Sequence, residues 1–348
     1  MRQAPLKPSR WKALALALLA LLFVAPVTRA QDPIGVDPAP ATSSPTTLTA
    51  ERTLSRVAFI GASVSAGFGN ARELKVGRSV PLGEFFKGML ASGLEGSDIH
   101  DFGSSQFFTA PIKSGQRQVE QALEQRPTLV VGIDYLFWYA FGYPRRSNPR
   151  RFEGLQMGLK RLEDIPCQLI IGDLPNVDHA LLGKSPLRGG GAILQKGQLP
   201  SEAERVRMNK VIYEWAAQRK QVQVFPLADL MQRMVAGEKM ELQGNEWKVE
   251  SLDQILQEDL LHPRTRGMVW VALYVAESTL QLPGVDKRAF EWSEASIRER
   301  LWQSLEPARA KQTALEARRK ARRAKRDKKA AEAAEAKKKV APQESGTR

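Results

Sequence analysis

Between Ser55 and Leu282 short apolar runs alternate with longer amphipathic stretches, and this alternation narrows the possible folds more than any other feature. The runs are Val57–Ile60, Thr128–Ile133, Gln168–Ile171 and Val222–Phe225, with a weaker one at Asp98–Phe102. Helix-like segments lie near 80–93, 115–125, 150–163 and 202–219, and Met268–Leu282 closes the series. Strands alternating with helices imply an α/β fold, a three-layer sandwich around a mainly parallel sheet of about five strands. A chain of 348 residues with 43% hydrophobic content, 7 Trp, 13 Phe and 5 Tyr can bury such a core, which excludes wholesale disorder. In such sheets ligands sit at the carboxyl ends of the strands. The loops that matter therefore begin at Gly61, Gly103, Asp134, Asp173 and Pro226.

The formal net charge of +14 suggests a polyanion binder until its distribution is read. Residues 1–30 carry +5 and residues 308–340 carry +10, leaving −1 for the rest of the chain. The folded body is close to neutral. The first 30 residues read as a secretory leader: a basic start, an apolar run from Ala13 to Val27, and Thr28-Arg29-Ala30 before a cleavage point. The apolar run is short for a membrane span and contains Pro26. Export, to the periplasm or beyond the cell, is the expectation. Residues 31–54 are rich in Pro, Ala, Ser and Thr and read as a linker, 55–305 as the folded domain, and 306–348 as a basic tail, helical or disordered. In an exported chain that tail is expected to meet an anionic envelope polymer or a membrane surface, and export argues against nucleic acid.

Few residues are equipped for chemistry. One cysteine, Cys167, excludes an intramolecular disulfide framework and a multi-Cys zinc module. Three histidines, His100, His179 and His262, leave little room for a His-rich metal site. The first strand runs into Gly61-Ala62-Ser63-Val64-Ser65-Ala66-Gly67, with no Gly-Lys-Ser/Thr of a phosphate loop. A serine on such a strand-to-helix turn can stand beside backbone N–H groups that face a developing anion, although small residues also serve to give a turn room. In Asp259-Leu260-Leu261-His262-Pro263 the aspartate can reach the ring Nδ1–H of the histidine, while a helix-terminal Asp and a surface His would read the same way. The aromatic run from Phe137 to Tyr143 fits a ligand pocket or plain packing. Gly189-Gly190-Gly191 reads as a loop able to cover a site. Asp173, Asn176, Asp178 and His179 could be taken for oxygen ligands of a cation, and a capped turn accounts for them more simply.

Together, the order Ser…Asp…His and these blocks resemble the SGNH (GDSL-type) hydrolases over about residues 55–283. That family's first block, Gly-Asp-Ser-Leu-Thr-Ala-Gly, is similar to Gly61–Gly67, with Ala62 in place of the aspartate. Its last block, Asp-x-x-His, is similar to Asp259–His262, and Gly103 in Asp101–Ser105 matches the second-block glycine. The third block, Gly-x-Asn-Asp, compares with Gly132-Ile133-Asp134-Tyr135, which puts Asp134 where the family has an oxyanion-hole asparagine. The resemblance implies a flavodoxin-like sandwich and an exported serine ester hydrolase needing no metal or organic cofactor. Ser63 would be the nucleophile, His262 the base and then acid, Asp259 its orienting partner. The oxyanion hole would comprise Ser63, Gly103 and Asp134, the last as a donor only if protonated, with Asn176 as a substitute. The substrate would be an ester of a lipid, glycan or small molecule. Two alternatives are an O-acyltransferase acting on an envelope polysaccharide and a non-catalytic binding protein that keeps the fold.

Overall fold

The computed structural model describes residues 49–142, 147–184 and 191–340. The leader and most of the linker lie outside these residues, as do Tyr143, Gly189 and Gly190. Five short strands form one parallel sheet: β1 (Arg56–Phe59), β2 (Asp98–Asp101), β3 (Leu129–Gly132), β4 (Gln168–Gly172) and β5 (Val222–Phe225), in the order β2-β1-β3-β4-β5. This is the expected fold class, with every strand within a residue or two of its sequence position.

Side chains alternate across the sheet, as the two-residue period of a strand requires. Val57, Phe59, Leu129, Val131, Ile170 and Phe225 enter one core; Ala58, Ile60, Val130, Leu169, Ile171 and Val224 enter the other. The ten α-helices among the described residues are α1 (Ala50–Thr53), α2 (Leu82–Met89), α3 (Pro111–Glu124), α4 (Phe137–Ala140), α5 (Asn148–Leu162), α6 (Glu202–Ala217), α7 (Leu227–Ala236), α8 (Thr265–Thr279), α9 (Glu294–Ser304) and α10 (Glu306–Val340). The first core takes apolar residues of α2, α7, α8 and α9, and the second those of α3, α4, α5 and α6. The sheet is thus covered on both faces, which is why its central strands are apolar throughout.

Two elements depart from expectation. The folded unit begins before Ser55: Leu54, at the end of α1, is fully buried, and the Thr53 hydroxyl donates to the Pro283 carbonyl at 3.2 Å. An antiparallel hairpin, β6 (Lys239–Leu242) and β7 (Asn245–Lys248), packs on α8 through Trp247, whose ring stacks on that of Trp270 at 4.2 Å and 9°. Of the two forms the sequence allows the tail, helical or disordered, residues 306–340 take the helical one, as the 35-residue helix α10.

The connectivity dictates where a site can form. From β1 the chain crosses to β2 on one side, and then to β3 on the other side of β1. In sheets of this kind neighbouring loops diverge at such a reversal, so the ends of β1 and β3 are where a site is expected. The segments leaving those two strands carry Ser63 and Asp134.

Candidate active site

The loop after β1 is held by buried polar groups rather than by regular structure. Gln118 of α3 is buried and grips the Gly61 peptide on both sides: Gly61 N–H donates to Oε1 (2.8 Å) and Nε2 donates to the Gly61 carbonyl (2.9 Å). Asp134 does the larger share. Its Oδ1 accepts from the Ala62 amide at 2.9 Å, and its Oδ2 from the amides of Val64 (2.8 Å) and Ser65 (3.2 Å). The Ser65 hydroxyl lies 2.6 Å from Oδ1 and 3.2 Å from the Ile60 carbonyl. Gly61, at φ +141°, has no room for a side chain, because a Cβ would collide with Asp134 Oδ1 and Ser65 Oγ.

This arrangement corrects the expectation for Asp134. Both carboxyl oxygens face the loop that carries Ser63, so the group accepts from that loop and presents no donor toward a ligand. Burial raises its pKa most strongly; the Ser65 hydroxyl and the amides of Ala62, Ser65 and Val64 pull it back, and the net shift is upward. The three amides can only donate, whichever form the carboxyl takes.

Clamping Ala62, Val64 and Ser65 leaves the Ser63 amide between them. The N–H groups of Ser63 and of Gly103 have no acceptor among the described residues. Gly103 follows β2, and a Cβ there would lie 2.9 Å from the Ala66 nitrogen and 3.0 Å from the Ser65 Cβ, so the two loops touch through a position that only glycine fits. Asp101, two residues before it, accepts from the Gly83 amide at the start of α2 (3.0 Å). Its carboxyl is pushed up to about 7, chiefly by burial, with the Gly83 amide opposing and Glu84 adding to the rise.

The Asp259–His262 turn precedes α8. Asp259 is fully buried; its Oδ1 accepts the amides of Leu261 and His262 at 3.0 Å each, and its Oδ2 lies 2.7 Å from His262 Nδ1. Burial would raise this carboxyl, but the hydrogen bond and charge of His262, with the two amides, outweigh it and hold the group below its ordinary range. Leu260 takes the left-handed conformation at φ +53°, a strained state for a branched side chain that the surrounding bonds maintain. The segment after β4 supports the turn from behind. Lys184 N–H donates to the Glu258 carbonyl (2.7 Å), and burial lowers the pKa of His179.

The serine and histidine loops are tied together. The rings of Phe68 and His262 lie 4.5 Å apart, and Gln257 Nε2 donates both to the Phe68 carbonyl (2.6 Å) and to the Pro263 carbonyl (3.0 Å). Glu73 accepts from the Thr265 amide at 2.9 Å. The Ser63 hydroxyl itself has no hydrogen-bond partner among the described residues. Gln118 and Gln257 went unnoticed in the sequence, because a glutamine on an amphipathic segment gives no local sign that it will bond a distant peptide.

The remaining candidates have other duties. Asp173 accepts from the Ala228 amide (2.7 Å) and the Tyr213 hydroxyl (3.1 Å), and Asn176 accepts from the Asp178 amide (2.8 Å) in an exposed turn. No group of three or more His, Cys, Asp or Glu side chains among the described residues is arranged to hold a metal ion. Phe137, Tyr139 and Phe141 are buried in the second core, while half-buried Trp138 meets the exposed Phe108 at 5.6 Å. Gly191 lies in an exposed bend with open space around its Cα.

No protein-family model matches this sequence, and no curated protein matches it. Among solved structures, an inferred acylhydrolase from Bacteroides fragilis aligns at 14% identity over 64% of this chain and 85% of its own, with a TM-score of 0.38. A GDSL-like lipase from Bacteroides thetaiotaomicron aligns at 13% identity over 64% of this chain and 86% of its own, with a TM-score of 0.35.

Two outcomes follow from Asp134, which is buried, and Asp101, which is half-buried. An asparagine at 134 must turn its NH₂ toward amides that can only donate, leaving buried donors unpaired. Asp134→Asn is therefore expected to lower the unfolding free energy by about 1–3 kcal/mol, read from urea titrations. Asp101 titrates in the other direction from most surface carboxylates: its raised value means the native state holds a proton that the unfolded chain releases. Its contribution is complete below about pH 4 and is lost as pH rises toward about 7. The urea midpoint of the parent chain should fall relative to that of Asp101→Asn between pH 5 and 7.5, and parallel profiles would contradict this.

Proposed function

We propose that this chain is an exported serine ester hydrolase of the SGNH type, acting on an acyl ester without a cofactor. The observation that carries the reading is the buried Asp259–His262 pair, on a turn docked against the loop of Ser63. A buried carboxylate 2.7 Å from Nδ1 fixes the imidazole tautomer and leaves Nε2 as the basic nitrogen. Export rests on the leader-like first 30 residues.

In this mechanism His262 Nε2 takes the proton of the Ser63 hydroxyl as Oγ adds to the ester carbonyl carbon. Asp259 stabilises the imidazolium that forms and does not itself take the proton. The carbonyl oxygen becomes an oxyanion, received by the Ser63 and Gly103 amides, which have no acceptor among the described residues. When the tetrahedral species collapses, the C–O bond to the alcohol breaks and His262 returns the proton to the departing oxygen. Water then attacks the acyl-serine with His262 as base, giving the carboxylic acid and regenerating the Ser63 hydroxyl. Asp134 is a positioning residue: it binds the amides on both sides of Ser63 and so fixes the backbone that carries the Ser63 N–H. Catalytic hydrogen bonds such as Ser63–His262 often tighten only when substrate is bound.

Ser63→Ala, His262→Ala and Asp259→Asn should each lower turnover of a short-chain aryl ester by at least about 10³-fold, and the Ser63/His262 double variant should be little worse than either single one. A Ser63→Ala variant of near-full activity, beside an inactive Ser104→Ala, would overturn the assignment of the nucleophile.

A further inference from the structure

Helix α10 is the most highly charged part of the molecule, and its charge is one-sided. The helix is rooted on the body at its start: Leu305 is buried in the first core, the Arg309 guanidinium lies 3.6 Å over the Trp302 ring, and Gln312 reaches Gly77. From Thr313 to Glu335 every residue is exposed, and the sole apolar side chain larger than alanine is Leu315. Nine of the twelve residues from Arg318 to Lys329 are basic.

At about 100° per residue, all of those nine except Lys320 and Lys328 fall within one arc of about 160°. Lys311 falls in the same arc. All five acids of the helix, Glu306, Glu316, Asp327, Glu332 and Glu335, fall outside it. The ion pairs Arg323–Asp327 and Lys328–Glu332 are highly exposed and take little from the charge of the basic face. A basic face therefore runs along the rod, with a face of mixed charge behind it.

We propose that this face docks the protein on a bilayer surface bearing anionic headgroups. A flat surface can touch a rigid helix on one side only, which is the side where the positive charge is gathered. A flexible polyanion wraps a rod and gains from charge all round it, which α10 does not have. A helix that inserts into a membrane presents an apolar face, and α10 has none. The docking is therefore electrostatic and superficial, and it belongs to the tail independently of the hydrolase reading.

The test is sedimentation of the full chain with vesicles of phosphatidylcholine alone or with about a third phosphatidylglycerol. Binding is expected on the anionic vesicles only, and should weaken by about tenfold or more between 50 and 300 mM salt as the surface charge is screened. Replacing Arg318, Arg322, Arg326 and Lys329 by Gln should abolish most of that binding. Replacing Lys320 and Lys328 by Gln should leave it within about twofold, with unchanged far-ultraviolet circular dichroism in both variants. Equal binding to neutral vesicles, insensitivity to salt, equal behaviour of the two variants, or no vesicle binding by a chain that binds an anionic polysaccharide or duplex DNA would each overturn the proposal.

Discussion

A single buried carboxyl group organises the candidate site. Asp134 stands directly after β3 and receives the amides of Ala62, Val64 and Ser65 from the loop after β1. The first amides of a turn that leaves a strand end have no ladder to satisfy them, and unpaired buried amides are costly. Asp134 meets that need from the adjacent strand, and the reversal of strand order between β1 and β3 makes the approach possible. Gly61 is required by the same contact, since any side chain there would displace the carboxyl. Gln118 adds a second clamp from α3, so the conformation of Ser63 is fixed from two elements distant in sequence.

The histidine side follows a parallel plan. Asp259 gives one oxygen to backbone amides and the other to the imidazole, which makes a four-residue turn rigid enough to keep Leu260 in a left-handed conformation. Gln257 and Phe68 then join this turn to the serine loop. The two halves are thus assembled from loops that meet only in the folded state, and α10 leaves the body without taking part in either.

What the sequence disclosed follows the range of the forces involved. Strands such as Val57–Ile60 and Gln168–Ile171 announce themselves because a buried strand needs a continuous apolar run, and the five runs with their intervening helices were enough to name the architecture. The Asp259–His262 contact was legible because the two stand three positions apart and the contact is local. Motif position sets Asp134 near the Ser63 loop but does not say which neighbours its side chain will face, and the carboxyl turns to the amides of that loop. The β6–β7 hairpin escaped notice because its strands are short and mixed in polarity, and Trp247 acquires its partner only when α8 packs beneath it. The early start of the fold at Ala50 was hidden by a composition shared with the linker, and only the burial of Leu54 reveals it.

The central claim is that Ser63 is an activated nucleophile, and covalent labelling by an organophosphonate probe tests it most directly. The intact chain should take up one phosphonyl group, mapped by peptide mass spectrometry to Ser63, and His262→Ala should slow the uptake by at least about a hundredfold. A folded chain that takes up no label, or one labelled on Ser65 or Ser104 and unaffected by Ser63→Ala, would contradict it.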